Sequence, residues 1–161
     1  MVPVSVRSDS ERGTLGNRIA SWAASLPIAE KDPRRRLEAV RAVTGDLKQS
    51  RKAMGAEALA RVSEWTVPTL RLAARARAFN LTVTNVPGPQ LPLYFLGSKM
   101  HAAYPLGPLF QNQALNIALL SYDGRLHWGL NADHDTMPDV KQLTAAIRTS
   151  FEQMKAAAAA A

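Results

Sequence analysis

Asn85 is the side chain in this chain best placed to do chemistry. It closes a β-branched, apolar run, Leu81-Thr82-Val83-Thr84-Asn85-Val86, directly before Pro87-Gly88-Pro89. A side chain at a strand end beside a rigid turn is aimed with little entropy loss. A carboxamide there can orient a substrate or donate a hydrogen bond to an oxyanion, but it cannot take a proton as a base. The alternative is a turn asparagine bonded to its own backbone. Asn17, which follows Gly16, carries the same two readings.

The histidines are His101, His127 and His134. The chain has no cysteine and no Gly-x-Ser-x-Gly, so no familiar nucleophile accompanies them. His127, beside Trp128 in a strand-like run, reads as structural. His134, between Asp133 and Asp135, is the better candidate for titration near neutrality, although an exposed loop histidine explains it equally well. Asp133, His134, Asp135 and Asp139 invite a metal, but their spacing fits neither a His-x-x-x-His pair nor a calcium loop. No metal is expected. Gly13, Gly16, Gly88 and Gly97 form no phosphate loop of known spacing.

The formal charge of +7 is confined to one half: residues 1–80 hold 15 Lys+Arg against 8 Asp+Glu, and residues 81–161 hold 5 of each. Arg34, Arg35, Arg36, Arg71 and Arg75 are the candidates for binding an anion such as a phosphate or a lipid headgroup, against a plain solvated helix face. Aromatic residues are too few among the basic ones to make a base-stacking platform, so no nucleic-acid partner is expected.

These residues need elements to hold them. Between Arg77 and Asp123 the only formal charge is Lys99, and prolines at 87, 89, 92, 105 and 108 exclude a membrane span, so the tract is expected to form buried strands joined by rigid turns. Strands are predicted at Val2–Val6, Leu15–Trp22, Leu81–Val86, Tyr94–Tyr104, and in a hairpin of Ala114–Tyr122 and Leu126–Ala132 turning at Asp123-Gly124. Asp32-Pro33 starts a helix with Leu37, Val40, Thr44 and Leu47 on one face. A second helical region covers Glu57–Ala78, kinked or restarted at Pro68. Asp139 caps a last helix carrying Val140, Leu143, Ile147, Phe151 and Met154 on one face.

At 161 residues the chain suits one domain over 1–155, with a frayed alanine tail at 156–161. The absence of cysteine and of a secretory signal predicts a cytoplasmic protein. The first strand starts at once, and sequence is expected to be missing before it.

Val2-Pro3-Val4-Ser5-Val6-Arg7, Gly16-Asn17-Arg18, Leu26-Pro27, Asp32-Pro33 with Arg36-Leu37, Thr84-Asn85-Val86-Pro87-Gly88-Pro89 and Tyr104-Pro105 together resemble the C-terminal half of the bacterial wax ester synthase/diacylglycerol acyltransferase family. Ser121-Tyr122-Asp123-Gly124-Arg125-Leu126, Gly129-Leu130, Asp133 and Pro138-Asp139 carry the resemblance almost to the tail. It implies an α/β fold, half of a chloramphenicol acetyltransferase-like architecture in which a mixed sheet packs with helices. It also implies transfer of a fatty acyl group from acyl-CoA, the co-substrate, to diacylglycerol or a long-chain alcohol, with no bound cofactor.

The family's general base lies in a His-His-x-x-x-Asp-Gly motif of its N-terminal half, which this chain lacks. Without such a base a factor of about 10² to 10⁴ in rate is lost, so activity is expected only with a histidine-bearing half. Asn85 and Asn17 then become positioning or oxyanion residues, and the arginines face CoA phosphates. A sheet left uncovered predicts a protein partner or self-association. The alternative is a noncatalytic module binding acyl-CoA, lipid, or an anionic membrane or lipid-droplet surface.

Overall fold

The computed structural model describes residues 1–5, 19–53, 79–110 and 112–159. Its elements, in order, are β1 (Val2–Ser5), β2 (Ile19–Trp22), α1 (Pro33–Ala53), β3 (Leu81–Pro87), β4 (Tyr94–Phe95), β5 (Ser98–Lys99), β6 (Leu115–Tyr122), β7 (Arg125–Ala132) and α2 (Val140–Ala159). The predicted helix at 57–78 and the residues of the predicted second strand before Ile19 lie outside the described residues.

The central sheet has the order β3-β6-β7, with β3 parallel and β7 antiparallel to β6. The predicted hairpin is present. Asp123 and Gly124 take φ values of 46° and 73°, the positive values that a two-residue turn requires at both central positions. β1 and β2 pair antiparallel in a separate ribbon, and the backbone of Met1 reaches β3 through bonds to Leu81 O and Val83 N of 2.7 and 2.9 Å.

Side chains alternate across the sheet, so one face carries Leu115, Ile117 and Leu119 of β6 with Leu81, Val83, Leu130 and Ala132 of its neighbours. Met137, Val140 and Leu143 pack on that cluster and dock α2 there. Leu37 and Phe151, expected on inward helix faces, are 46% and 54% exposed. The apolar stripe of each helix is therefore covered over only part of its length. α2 remains helical through Ala159, including the first four alanines of the tail expected to fray. The Arg34 guanidinium donates to the Ala157 carbonyl, placing a cation at the negative end of α2.

Helix α1 starts as its sequence predicts. The Asp32 carboxylate accepts from the amides of Arg34 and Arg35, both at 2.9 Å. The Arg35 hydrogen bond, aided by that of Arg34 and by both guanidinium charges, holds the Asp32 carboxyl below its usual value. A carboxyl depressed in the folded state contributes stability above its unfolded pKa of about 3.9 and loses it as pH falls through the lower folded value. Far-UV circular dichroism on titration from about pH 5 to pH 2 should therefore show an acid-induced helix loss that is smaller in Asp32→Asn, which keeps an acceptor oxygen. An identical profile in the variant would remove this cap from the account.

The neutral tract is not wholly buried. β6 lies inside, but most side chains from Asn85 to Phe110 are exposed, including Leu91, Tyr94, Phe95, Leu96, Tyr104 and Leu106. The single strand expected over Tyr94–Tyr104 is replaced by a minimal hairpin, β4 and β5, with Leu96 and Gly97 at φ 48° and 81°, followed by irregular chain. Tyr122 explains the break. Its buried hydroxyl accepts from Leu93 N and donates to Met100 O, both at 2.8 Å, clasping the two ends of the hairpin together. A continuous strand would hold those ends apart.

Candidate functional site

Asn85 lies on the same face of β3 as Leu81 and Val83, and its register partner on β6 is Leu119, which in turn faces Trp128 on β7. Leu119 is buried, whereas Asn85 is exposed and Trp128 is 40% exposed. In this row only the middle residue, Leu119, belongs to the buried cluster on which Val140 and Leu143 pack, and the two flanking side chains are open. The Asn85 carboxamide has no hydrogen-bond partner among the described residues. It does not make the local turn bond that was its alternative explanation.

The turn after Asn85 is fixed to the tip of the β6–β7 hairpin. Ser121 Oγ accepts from Gly88 N and Gln90 Nε2, both at 3.2 Å. Gln90 Nε2 also donates to Gly88 O at 2.9 Å, and its Oε1 accepts from Gly124 N at 3.3 Å. Asp123 N donates to Pro89 O at 3.1 Å, and Lys99 pairs with the Asp123 carboxylate at 3.3 Å. A side chain at position 88 would overlap the Ser121 carbonyl oxygen, so Gly88 permits the close approach. β3 extends to Pro87, two residues past Asn85, and the carboxamide projects from a strand pinned at its far end.

Next to this row is an apolar cleft of about 620 Å³, bounded in part by Leu81 and Val83 and by Ala23, Ala24, Leu26 and Ile28 beyond β2. Val83 and Asn85 are two residues apart on one face, about 7 Å along the strand. Apolar volume and a free hydrogen-bonding amide are therefore neighbours, the combination needed to hold a molecule with a long apolar part and a polar end.

The opposite face of the sheet carries Thr82, which bonds Gln113 at 3.0 Å, and Asn116, Asn131 and His127, which lie beneath the segment 104–108. Asn116 Nδ2 donates to Pro108 O at 3.2 Å and Asn131 Nδ2 to Gly107 O at 3.0 Å. Tyr104 packs edge-on against His127 at 5.4 Å, with the Tyr122 ring 6.2 Å away. His127 is buried, as a structural strand-face histidine should be. Neither this cage nor the Tyr122 clasp was predicted, because both depend on an irregular segment with no periodicity of its own. Tyr122→Phe orphans Leu93 N and Met100 O together and should cost about 2 kcal/mol in urea unfolding. Wild-type stability would show that solvent replaces the hydroxyl without loss.

The remaining candidates are dispersed. His101 and His134 are exposed. The Asp133 carboxylate is taken up by Asp135 N at 3.0 Å and Thr136 Oγ1 at 3.1 Å, holding the turn into α2. Asp139 starts α2 through its carbonyl, which accepts from Gln142 N at 2.8 Å. Arg36 donates to Glu30 O and Lys31 O at 2.8 and 3.2 Å, and Arg34 to Ala157 O, which leaves Arg35 exposed with an unbonded guanidinium among the described residues. Asn17, Arg71 and Arg75 lie outside the described residues. No helix among the described residues is long and apolar enough to cross a membrane.

Comparison with known proteins bears directly on this site. A family model described as the WS/DGAT C-terminal domain matches residues 15–155. Rv3480c of Mycobacterium tuberculosis is 35% identical over 171 aligned positions, which take in 100% of this chain and 34% of that protein. The O-acyltransferase WSD of Acinetobacter baylyi is 36% identical over 149, covering 89% of this chain and 32% of its own length. Among solved structures, the wax ester synthase/diacylglycerol acyltransferase from Marinobacter aquaeolei VT8 superposes with a TM-score of 0.74 at 25% identity, over 84% of this chain and 34% of that one. The chain spans about a third of the length of the curated relatives it matches.

Proposed function

The chain belongs to the WS/DGAT C-terminal domain family, and from that membership we propose that it is the C-terminal part of an O-acyltransferase that moves a fatty acyl group from acyl-CoA to diacylglycerol or a long-chain alcohol. The observation that carries the proposal is the free Asn85 carboxamide, about 7 Å along one strand face from an apolar cleft of about 620 Å³. An acyl thioester has the same two parts, a long hydrocarbon and a polar carbonyl at its end.

In this reading Asn85 donates to the carbonyl oxygen as the acceptor alcohol attacks, strengthening its bond as negative charge develops. The ester C–O bond forms, the thioester C–S bond breaks, and a base takes the alcohol's proton and passes it to the departing CoA thiolate, which leaves as the free thiol. No histidine described here stands beside Asn85, so the base comes from a histidine-bearing N-terminal half, as the resemblance implies. Of the arginines first considered, Arg35 is the described one whose guanidinium is left available for a CoA phosphate, and Asn17, Arg71 and Arg75 are proposed for the positioning and anion-binding roles first inferred for them.

The test is product analysis after mixing this chain with the histidine-bearing half of a relative, supplying radiolabelled palmitoyl-CoA with diacylglycerol or hexadecanol. Labelled triacylglycerol or wax ester supports the proposal. Absence of both esters from a mixture in which the halves demonstrably associate would overturn it.

A further inference from the structure

We infer that Gln90 is a positioning residue for the proposed reaction, holding the end of β3 so that the Asn85 carboxamide meets the reacting carbonyl; this rests on the acyltransferase reading above. Its bonding is unusual for its exposure. Gln90 is exposed, yet its carboxamide makes three hydrogen bonds: Nε2 donates to Gly88 O at 2.9 Å and to Ser121 Oγ at 3.2 Å, and Oε1 accepts from Gly124 N at 3.3 Å. One side chain therefore ties the turn after Asn85 to the tip of the β6–β7 hairpin. Ordering a glutamine costs rotamer freedom, and hydrogen bonds exchanged with water return little, so the arrangement adds little to global stability. What it fixes is a position.

The sequence explains why a side chain is needed here. Pro87 and Pro89 carry no amide hydrogen, which leaves Gly88 N as the only backbone donor between Val86 and Gln90. Pairing of β3 with β6 ends at Pro87 and Ser121, two residues past Asn85. Beyond it the turn is held by Gly88 N on Ser121 Oγ at 3.2 Å, by Asp123 N on Pro89 O at 3.1 Å, and by Gln90. Gln90 alone bonds Gly88, Ser121 and Gly124 together.

The effect on Asn85 is indirect. The Asn85 carboxamide has no partner among the described residues, so its aim depends on the backbone of β3 and on the turn that anchors it. An oxyanion donor works over a narrow range, about 2.7–3.1 Å from the charged oxygen. A displacement of about 1 Å can cost about 10²-fold in rate. A loosened strand end moves the donor by part of that distance, and the expected cost is about tenfold.

The test compares Gln90→Ala with wild type in two measurements. In the chain alone, amide hydrogen exchange at Gly88 and Gly124 should be about tenfold faster in the variant, with exchange along Leu115–Tyr122 and the melting temperature unchanged. In the mixture with a histidine-bearing half, supplied with palmitoyl-CoA and diacylglycerol or hexadecanol, kcat should fall about tenfold with KM nearly unchanged. The same substitution made in an Asn85→Ala chain should cost nothing further, a result that a merely structural role would not give. If wild type makes ester, then unchanged exchange, unchanged turnover, or an equal loss in the Asn85→Ala background would each overturn this inference and leave the acyltransferase reading standing. No ester from associated wild-type halves would overturn that reading, and this inference with it.

Discussion

Gly129→Ala is expected to destabilise the chain by about 3 kcal/mol, the largest loss foreseen for a single methyl group. Gly129 lies in the middle of β7, where a glycine ordinarily weakens a strand. Here it lets another backbone lie directly on the sheet, because a Cβ at this position would overlap the Pro105 carbonyl oxygen and press against its carbon. Backbone cannot move aside as a flexible side-chain tip can. The segment 104–108 would have to lift, breaking Asn131 Nδ2 to Gly107 O and Asn116 Nδ2 to Pro108 O and opening the Tyr104–His127 contact. Urea unfolding gives the stability, and hydrogen exchange of residues 104–132 shows whether the segment detaches before the sheet melts. A midpoint equal to wild type would mean that this backbone approach is not held in solution.

Asn85→Ala should reduce the turnover of the complemented enzyme about 10²-fold, the scale of removing one oxyanion donor. The substitution removes no described hydrogen bond and empties no core position, so the melting temperature should not change. A donor that acts chiefly in the transition state lowers kcat and leaves KM nearly unchanged. Unaltered turnover, or a rate loss matched by a stability loss, would return Asn85 to an ordinary exposed strand residue.

Much of this architecture is legible in the residues. Asp123-Gly124 between two alternating runs specifies a tight hairpin, since both positions must accept positive φ. Asp32-Pro33 specifies a helix start through a carboxylate acceptor and a residue with no amide to satisfy. Asn85 stands out in the sequence by its place at a strand end before Pro-Gly-Pro, where a local turn bond is the competing use, and its carboxamide is exposed without that bond. The segment from Leu91 to Phe110 was not legible. Its apolar composition suggests burial and strand, but its conformation is set by contacts distant in sequence: the Tyr122 hydroxyl, the Asn116 and Asn131 amides, and the space left by Gly129. Leu37 and Phe151 show a related limit. Helical periodicity identifies an apolar stripe, but not how much of it a neighbour covers.

The central claim is that this chain contributes substrate positioning to acyl transfer while the proton acceptor comes from elsewhere. Its most direct test is transfer of radiolabelled palmitate from CoA to diacylglycerol and hexadecanol, measured with the purified chain alone and again with a separately expressed histidine-bearing half. The account predicts ester only in the mixture. Ester formed by the chain alone would contradict it and place a base among the residues described here, with His134 the first to replace.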